Sequence, residues 1–325
     1  MKAIVYTRYG PPDVLQYREV AIPTPADHEV LVELCAASVN PLDSGVMRGA
    51  GRFTGIGLLK PREKALGSDI AGRVEAVGRH VKQYQVGDEV FGGNIWGAGG
   101  FAEYVCAAED RLAAKPANLS FEQAAAVPIA AITALQGLRD KGRIRQGQKV
   151  LVDGASGGVG TFAIQIAKSY GTEVTAVCST RNVDTARSIG ADHVIDYTRD
   201  DFTQSGQRYD LILAANAYHS IFDYKRALSQ NGIFVWSGGK VNFQVMLLGP
   251  LLSLVGRKKV RFFLAKINKK DLTLLADLLE AGKVVPVIDR RYPLSDAAEA
   301  IRYLEEGHAR GKVVLTVEQS STVTG

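Results

Sequence analysis

The chain has 325 residues, enough for about two domains, and its 46% hydrophobic and 22% charged residues are spread along its length, which excludes global disorder. The net charge of +5 comes with no long basic run, which excludes a nucleic-acid groove, and no stretch supplies the roughly 20 uncharged apolar residues of an integral membrane segment. Three scattered cysteines, Cys35, Cys106 and Cys178, cannot build a disulfide framework and fit a reducing, cytoplasmic setting.

In chain order, residues 1–123 read as short strands and turns, and Met1–Gly10 looks like a strand, not a signal or transit peptide. Ala3–Thr7, Glu29–Ala37, Ile70–Val77, Glu89–Phe91 and Phe101–Cys106 are rich in β-branched and aromatic residues, with Gly, Pro, Asn and Asp clusters between them. This predicts a β-rich, barrel-like unit. At Ser120 the character changes. With Gln123 three positions on, Ser120 forms a capping box that opens a helix through the alanine-rich run Ala124–Leu138. Strands and helices then alternate: strand Lys149–Asp153, helix Gly160–Tyr170 stopped by Gly171, strand Glu173–Cys178 and helix Asp184–Ser188 ending at Gly190. Strands His193–Ile195, Leu211–Ala215 and Ile233–Ser237 follow, completing the pattern of a doubly wound parallel sheet. The last part carries helix Asp271–Ala281, a strand near Val285–Ile288, helix Ser295–Glu306 with Ser295 as N-cap, and strand Lys312–Val317. The Ser/Thr/Gly-rich tail Gln319–Gly325 reads as disordered.

Strand Lys149–Asp153 runs straight into Gly154, Ala155, Ser156, Gly157, Gly158, Val159 and Gly160, and a helix follows at once. Small residues let the backbone turn and approach a pyrophosphate, and the helix N-terminus offers it N–H groups and a partial positive charge. Strand, loop and helix in that order predict a dinucleotide site. The end of the next strand selects the cofactor. An NAD site carries an acid there for the ribose 2′-hydroxyl. This chain has Cys178, Ser179, Thr180, Arg181 and Asn182, with no acid before Asp184. Ser179 and Thr180 can donate hydrogen bonds and Arg181 can pair with a phosphate, which predicts NADPH over NADH. The competing reading of Arg181 is a solvated first-turn residue.

These features resemble the medium-chain dehydrogenase/reductase superfamily, in particular its zinc-independent quinone oxidoreductase (zeta-crystallin-like) family. The motifs that carry the resemblance run from Ala36 to Asp43, Gly67 to Gly72, Gly87 to Gly92 and Gly100 to Tyr104. They continue through the alanine-rich stretch with Pro128 and Thr133 to the loop Gly154–Gly160. The resemblance implies an α/β protein with a GroES-like β-rich catalytic domain, residues 1–123 and 267–325. A Rossmann NADPH-binding domain, residues 124–266, is inserted between those two segments. It also implies a homodimer formed through a last strand near Lys259–Phe263.

In zinc-using members of the superfamily, cysteine, histidine and glutamate ligands occupy positions where this chain has Asn40, Ser68 and Asp69, and Ala124–Leu138 holds no further Cys or His. The five histidines are dispersed, so no metal is expected. Without a Lewis acid, hydride transfer from NADPH to an already electron-poor, hydrophobic small-molecule acceptor becomes the natural chemistry, a quinone or an α,β-unsaturated carbonyl. By resemblance, Asn40 is a candidate catalytic and cofactor residue at the nicotinamide end. Asp43 is a candidate that orients the same loop, with a local capping role after Pro41 as its other reading. The Thr133 hydroxyl bonds a carbonyl one turn back or faces the nicotinamide, and the resemblance favours the second. Tyr197 matches a position lining the 2′-phosphate pocket, the alternative being a packed surface tyrosine. Ser237 and Gly238 end a strand at the cofactor edge, and Lys312 matches a basic residue near the cofactor phosphates. Asn216 is given no role, and no residue is identified as the proton donor.

Two other readings share the fold. An enoyl-thioester reductase predicts a basic patch, which Arg48, Arg52, Lys60, Arg62 and Lys64 can supply. A low-turnover NADPH-binding scaffold, crystallin-like, predicts binding without acceptor reduction. The apolar run Val241–Val255 reads as a helix buried at a domain or dimer interface, or as a cover over a substrate channel or a peripheral membrane contact.

Overall fold

The computed structural model describes residues 1–50, 64–93, 99–239, 248–249 and 256–318. The apolar run Val241–Val255, apart from residues 248 and 249, and the tail Gln319–Gly325 lie outside them. Contacts divide the chain into two compact units. Unit 1 is Met1–Ile129, Ile267–Glu280 and Pro286–Gly325, and unit 2 is Ala130–Lys266 with Ala281–Val285.

Unit 1 is built on strands. β1 (Lys2–Tyr6), β2 (Gln16–Glu19), β3 (Glu29–Val39), β4 (Lys64–Ala65), β5 (Asp69–Val77), β6 (Glu89–Gly93), β7 (Tyr104–Ala108) and β8 (Leu112–Ala114) follow in chain order. Helix α1 (Pro41–Met47) lies between β3 and β4. β2, β1 and β4 form a small sheet. The larger one has seven strands, ordered β15-β16-β3-β5-β6-β8 with β7 also paired to β3, where β15 is Ile288–Pro293 and β16 is Lys312–Thr316. β3 is its spine. It pairs with β5, β7 and β16, and two register shifts against β5 let it bend around the core. Val32, Leu34, Ile70, Val90, Phe101 and Val313 are among the fully buried side chains there. Gly72 of β5 is required by this closeness, since a Cβ would lie 2.0 Å from the Glu33 carbonyl oxygen.

The capping box at Ser120 forms, with its hydroxyl accepting from Gln123 N–H at 3.2 Å. The alanine-rich run is not one helix, however. It divides into α2 (Phe121–Ala125), α3 (Pro128–Gln136) and a π-helical turn, Gly137–Lys141. Pro128 has no N–H and its ring crowds the carbonyl one turn back, so the helix restarts there. Two further expectations shift. The strand expected at Val285–Ile288 begins only at Ile288, and the last helix runs Ala297–Glu305 behind a 3₁₀ turn. Its N-cap is Asp296, and the Ser295 hydroxyl donates to the Asp296 carboxylate at 3.0 Å instead of capping the helix.

Unit 2 is a six-stranded parallel sheet, ordered β11-β10-β9-β12-β13-β14. Its strands are β9 (Lys149–Asp153), β10 (Glu173–Cys178), β11 (His193–Asp196), β12 (Tyr209–Ala214), β13 (Leu228–Trp236) and β14 (Lys259–Phe262). Residues Val150–Asp153 of β9 and Leu211–Ala214 of β12 are all buried, as expected for central strands covered on both faces. Strand order reverses between β9 and β12, which is the crevice where such sheets bind ligands. Helices α4 (Gly158–Ser169), α5 (Val183–Ser188) and α6 (Ile221–Ala227) connect strands, and buried Tyr224 of α6 stacks on Phe234 at 4.4 Å.

Candidate active site

In unit 2 the loop after β9 depends on absent side chains. Gly154 turns the chain at φ +77°, and a Cβ there would stand 2.7 Å from that of Asn216. A Cβ on Gly160 would stand 2.2 Å from the Gly154 carbonyl oxygen, so glycine lets α4 pack down on the loop. At Gly157, the N-cap of α4, a Cβ would meet nothing nearer than 3.7 Å. Ser156, Gly157, Gly158 and Val159 are all half-buried. The first N–H groups of a helix have no partner inside it and carry partial positive charge. An open glycine wall with those donors behind it fits a pyrophosphate. Just before the turn, the buried Asp153 carboxylate accepts from the Tyr224 hydroxyl, and burial pushes its pKa up to about 6.

The parallel register sets Cys178 of β10 beside Asp196 of β11, and Tyr197 N–H donates to the Cys178 carbonyl at 3.0 Å. That brings Tyr197, 61% exposed, to the end of β10 together with Ser179, Thr180 and exposed Arg181. The Ser179 hydroxyl oxygen accepts from Asn182 Nδ2 at 3.1 Å. Thr180 donates to Asp196 Oδ2 at 2.5 Å, an acid that sequence spacing did not bring into view. Ser237 donates its hydroxyl to the Ala214 carbonyl at 3.1 Å, and a Cβ on Gly238 would stand 2.4 Å from the Ala215 carbonyl oxygen. The ends of β12 and β13 are thus in backbone contact. Thr133 of α3 is half-buried, and among the described residues its hydroxyl has no hydrogen-bond partner, so the bond to a carbonyl one turn back is not made.

Unit 1 gathers a buried polar network where β3 ends and β5 and β16 begin. Pairing sets Ser38 opposite Asp69 and Val39 opposite Val313. Asp69 Oδ2 accepts from the Ser38 hydroxyl at 2.8 Å, Asn40 Nδ2 at 2.9 Å and Lys312 Nζ at 3.3 Å, and its Oδ1 accepts from Ile129 N–H at 2.9 Å. Lys312 Nζ also donates to Asn40 Oδ1 at 2.6 Å. Asp69 and Lys312 are 0% and 3% exposed. An ammonium only donates and a carboxylate only accepts, so the Asn40 amide can sit one way round. Asp43 Oδ2 accepts from Asn40 N–H and its Oδ1 from the Ser68 hydroxyl, each at 2.8 Å. This is the local capping geometry, and burial pushes the Asp43 carboxyl up to about 7.

Asn40, Asp43 and Lys312 therefore meet in one network, with Lys312 buried and engaged by Asn40 and Asp69. Sequence reasoning gave no part to Ser38, Tyr224, Asn182 and Asp196, and it named Ser68 and Asp69 only as standing where zinc ligands would be. The register of β10 with β11 was the available signal for Asp196. The donor set does not fit zinc, because Asn40 and Asp69 are bonded to each other and to an ammonium, and Ser68 is bonded to Asp43. Of the basic patch, Arg48 is held bidentately by Glu305 at 2.7 Å, while Arg52, Lys60, Arg62 and the Lys64 side chain lie outside the described residues. Among the described residues, no helix is long and apolar enough to cross a membrane.

Comparison with known proteins places this geometry. Residues 26–117 match the family described as alcohol dehydrogenase GroES-like domain, and residues 189–315 match that described as zinc-binding dehydrogenase. The chain is 38% identical to 2-methylene-furan-3-one reductase of Solanum lycopersicum, over 97% of this chain and 79% of the relative. It is 36% identical to the chloroplastic NADPH-dependent alkenal/one oxidoreductase of Arabidopsis thaliana, with the same coverage. The solved structure of the quinone oxidoreductase from Coxiella burnetii superposes with a TM-score of 0.88 at 32% identity, covering 98% of this chain and 99% of that one.

Proposed function

The chain belongs to the quinone oxidoreductase family of the medium-chain dehydrogenase/reductase superfamily, and we propose that it is an oxidoreductase that uses NADPH to reduce a quinone or an α,β-unsaturated carbonyl without zinc. The observation that carries the reading is the buried Lys312 ammonium between Asn40 and Asp69. Zinc-using members carry ligands at the Asn40 and Asp69 positions, and a dication at this point would have to displace a lysine already neutralised by a carboxylate. When bound, NADPH supplies the hydride, which an electron-poor carbon of the acceptor takes up while a proton completes the two-electron reduction. Backbone N–H groups of Ser156, Gly158 and Val159 hold the diphosphate, while Gly157 N–H donates to the Gly154 carbonyl at 3.3 Å and closes the turn. Ser179 and Arg181 take the 2′-phosphate, with Tyr197 lining its seat. Thr133 and the backbone at Ser237 and Gly238 serve the nicotinamide end. Lys312 and Asp69 fix the orientation of the Asn40 amide, and Asp43 holds the turn that carries it.

The protein acts as a homodimer, with β14 as the joining edge. That strand ends the six-stranded sheet, and Phe262 and Leu264 beside its edge are 41% and 75% exposed, an apolar surface that suits a second copy. All three cysteines carry thiols, in keeping with a reducing compartment such as the cytoplasm.

The test is NADPH oxidation, followed by absorbance, against a quinone, a 2-alkenal, a 1-alken-3-one and a crotonyl thioester, each repeated with NADH and with a chelator. Chelator-resistant turnover of the quinone or an enone is expected. Turnover abolished by chelator and restored by zinc would overturn the metal-free reading, and cofactor binding with no acceptor reduced would favour the scaffold.

A further inference from the structure

The two hydroxyls at the end of β10 are not equivalent. Asp196 lies beside them because β11 pairs in register with β10. Its Oδ1 accepts from Thr198 N–H at 3.0 Å and from the Thr198 hydroxyl at 2.7 Å, and its Oδ2 accepts from Thr180. Arg199 Nε stands 3.7 Å from Oδ2, and the Asp196 side chain is 12% exposed. The hydrogen bond from Thr180, with those from Thr198, holds this carboxyl below the usual carboxylate range, so it is ionised and acts as an acceptor alone. The Thr180 hydroxyl also lies 3.0 Å from the Thr198 hydroxyl, and with the Thr198 proton on Asp196 Oδ1 the Thr180 proton goes to Asp196 Oδ2. Ser179 is the converse case. Its oxygen is already occupied by Asn182 Nδ2, so its own proton points elsewhere and is available to a ligand. Asn182 is held in place by burial, with Oδ1 enclosed and, among the described residues, without a hydrogen-bond partner.

In doubly wound sheets the ribose next to the adenine lies over the end of this second strand. We propose that Asp196 is a specificity-determining residue for the cofactor. It withholds the Thr180 proton from a 2′-phosphate and puts a fixed negative charge beside that seat. It thereby restrains the preference for NADPH and leaves a 2′-hydroxyl an acceptor, so that NADH stays usable. Ser179 and Arg181 carry what discrimination remains. This inference rests on the cofactor reading above, and under it Ser179 and Arg181, not Thr180, donate to the phosphate.

Substitution Asp196→Asn is nearly isosteric. Its amide carbonyl can still accept from Thr198 N–H, while its NH₂ faces the Thr180 oxygen and frees the Thr180 proton for a ligand or for the Thr198 oxygen 3.0 Å away. The dissociation constants of NADPH and NADH would be measured by cofactor fluorescence for the parent, Asp196→Asn and Asp196→Ser, with melting temperatures alongside. The expected result is a preference for NADPH over NADH that rises about tenfold in Asp196→Asn, the worth of one charge-assisted hydrogen bond, and rises in the same direction in Asp196→Ser. Two folded variants with an NADPH/NADH ratio within about twofold of the parent would overturn the assignment alone. A parent that binds neither cofactor would overturn the cofactor reading and this assignment together.

Discussion

The glycine loop of unit 2 is shaped by bare backbone, whereas unit 1 relies on a closed set of side chains, and the two tolerate opposite kinds of change. The loop Gly154–Gly160 works because carbon atoms are missing at Gly154 and Gly160, where a Cβ would run into Asn216 or into the loop itself. The network around Asn40 works because nothing is missing. Ser38, Asn40, Asp69, Lys312 and the Ile129 N–H come from separated segments, and each satisfies another. A buried charge is tolerable only while its partner stays. Unit 2 should therefore suffer from addition, and unit 1 from subtraction.

The largest effect should come from Lys312→Met, which leaves Asp69 buried without its cation. A loss of about 3–5 kcal/mol is expected by chemical denaturation, recovered in part by the double variant Lys312→Met/Asp69→Asn, which removes the unpaired charge and keeps an acceptor for the neighbouring donors. If the single variant is as stable as the parent, the network is not closed as described. Next is the opposite perturbation, Gly160→Ala. One added methyl should weaken NADPH binding about tenfold or more by displacing the loop backbone, as read by fluorescence titration, because the obstructing atoms are backbone and cannot rotate away. Tyr224→Phe deletes one oxygen and leaves the stacked ring in place. It should cost about 1–3 kcal/mol of unfolding free energy through the buried Asp153 carboxylate.

A pH effect in unit 1 is read on a different axis. The Asp43 carboxyl titrates near 3.8 when unfolded and at about 7 when folded. The folded state binds the extra proton, so this residue's contribution to stability is complete below 3.8 and is lost as pH rises to about 7. Asp43→Asn cannot titrate, and its amide can accept from Asn40 N–H while donating to the Ser68 oxygen. Measured by denaturation across that window, the variant should gain on the parent as pH rises and run parallel above it. Parallel curves throughout would mean that Asp43 is ionised from low pH. The smallest effect is Thr133→Val. It should leave the melting temperature unchanged and raise the KM for NADPH about threefold, the loss of one modest hydrogen bond to the cofactor.

Legibility follows the same division. β9, the Gly154–Gly160 loop and α4 could be read directly, because strand, turn and helix are contiguous and each glycine has a local reason to be there. The capping box at Ser120 was equally local. The helix expected over Ala124–Leu138 failed at Pro128, although that break is written in the residue itself: alanine content had outweighed the missing N–H. Ser295 failed for a subtler reason, since its hydroxyl had an acidic neighbour to bond and a 3₁₀ turn moved the helix start one residue on, to an N-cap position at Asp296. For Thr180, the local pattern suggested a phosphate donor, and only the pairing of β10 with β11 revealed the carboxylate that takes its proton.

By itself, then, the sequence determined the alternation of strands and helices in unit 2, the turn for a dinucleotide, and the lack of an acid immediately after β10. These rest on interactions between near neighbours, and periodicity, capping and turn chemistry report them. Tertiary structure alone decided that Lys312 lies on Asn40 and Asp69, that Asp43 is buried against Ser68, and that Asp196 stands beside Thr180. The partners in those contacts are far apart along the chain. Whether a buried charge is satisfied depends on which strands pair and in what register, and a linear pattern of residue types does not specify that.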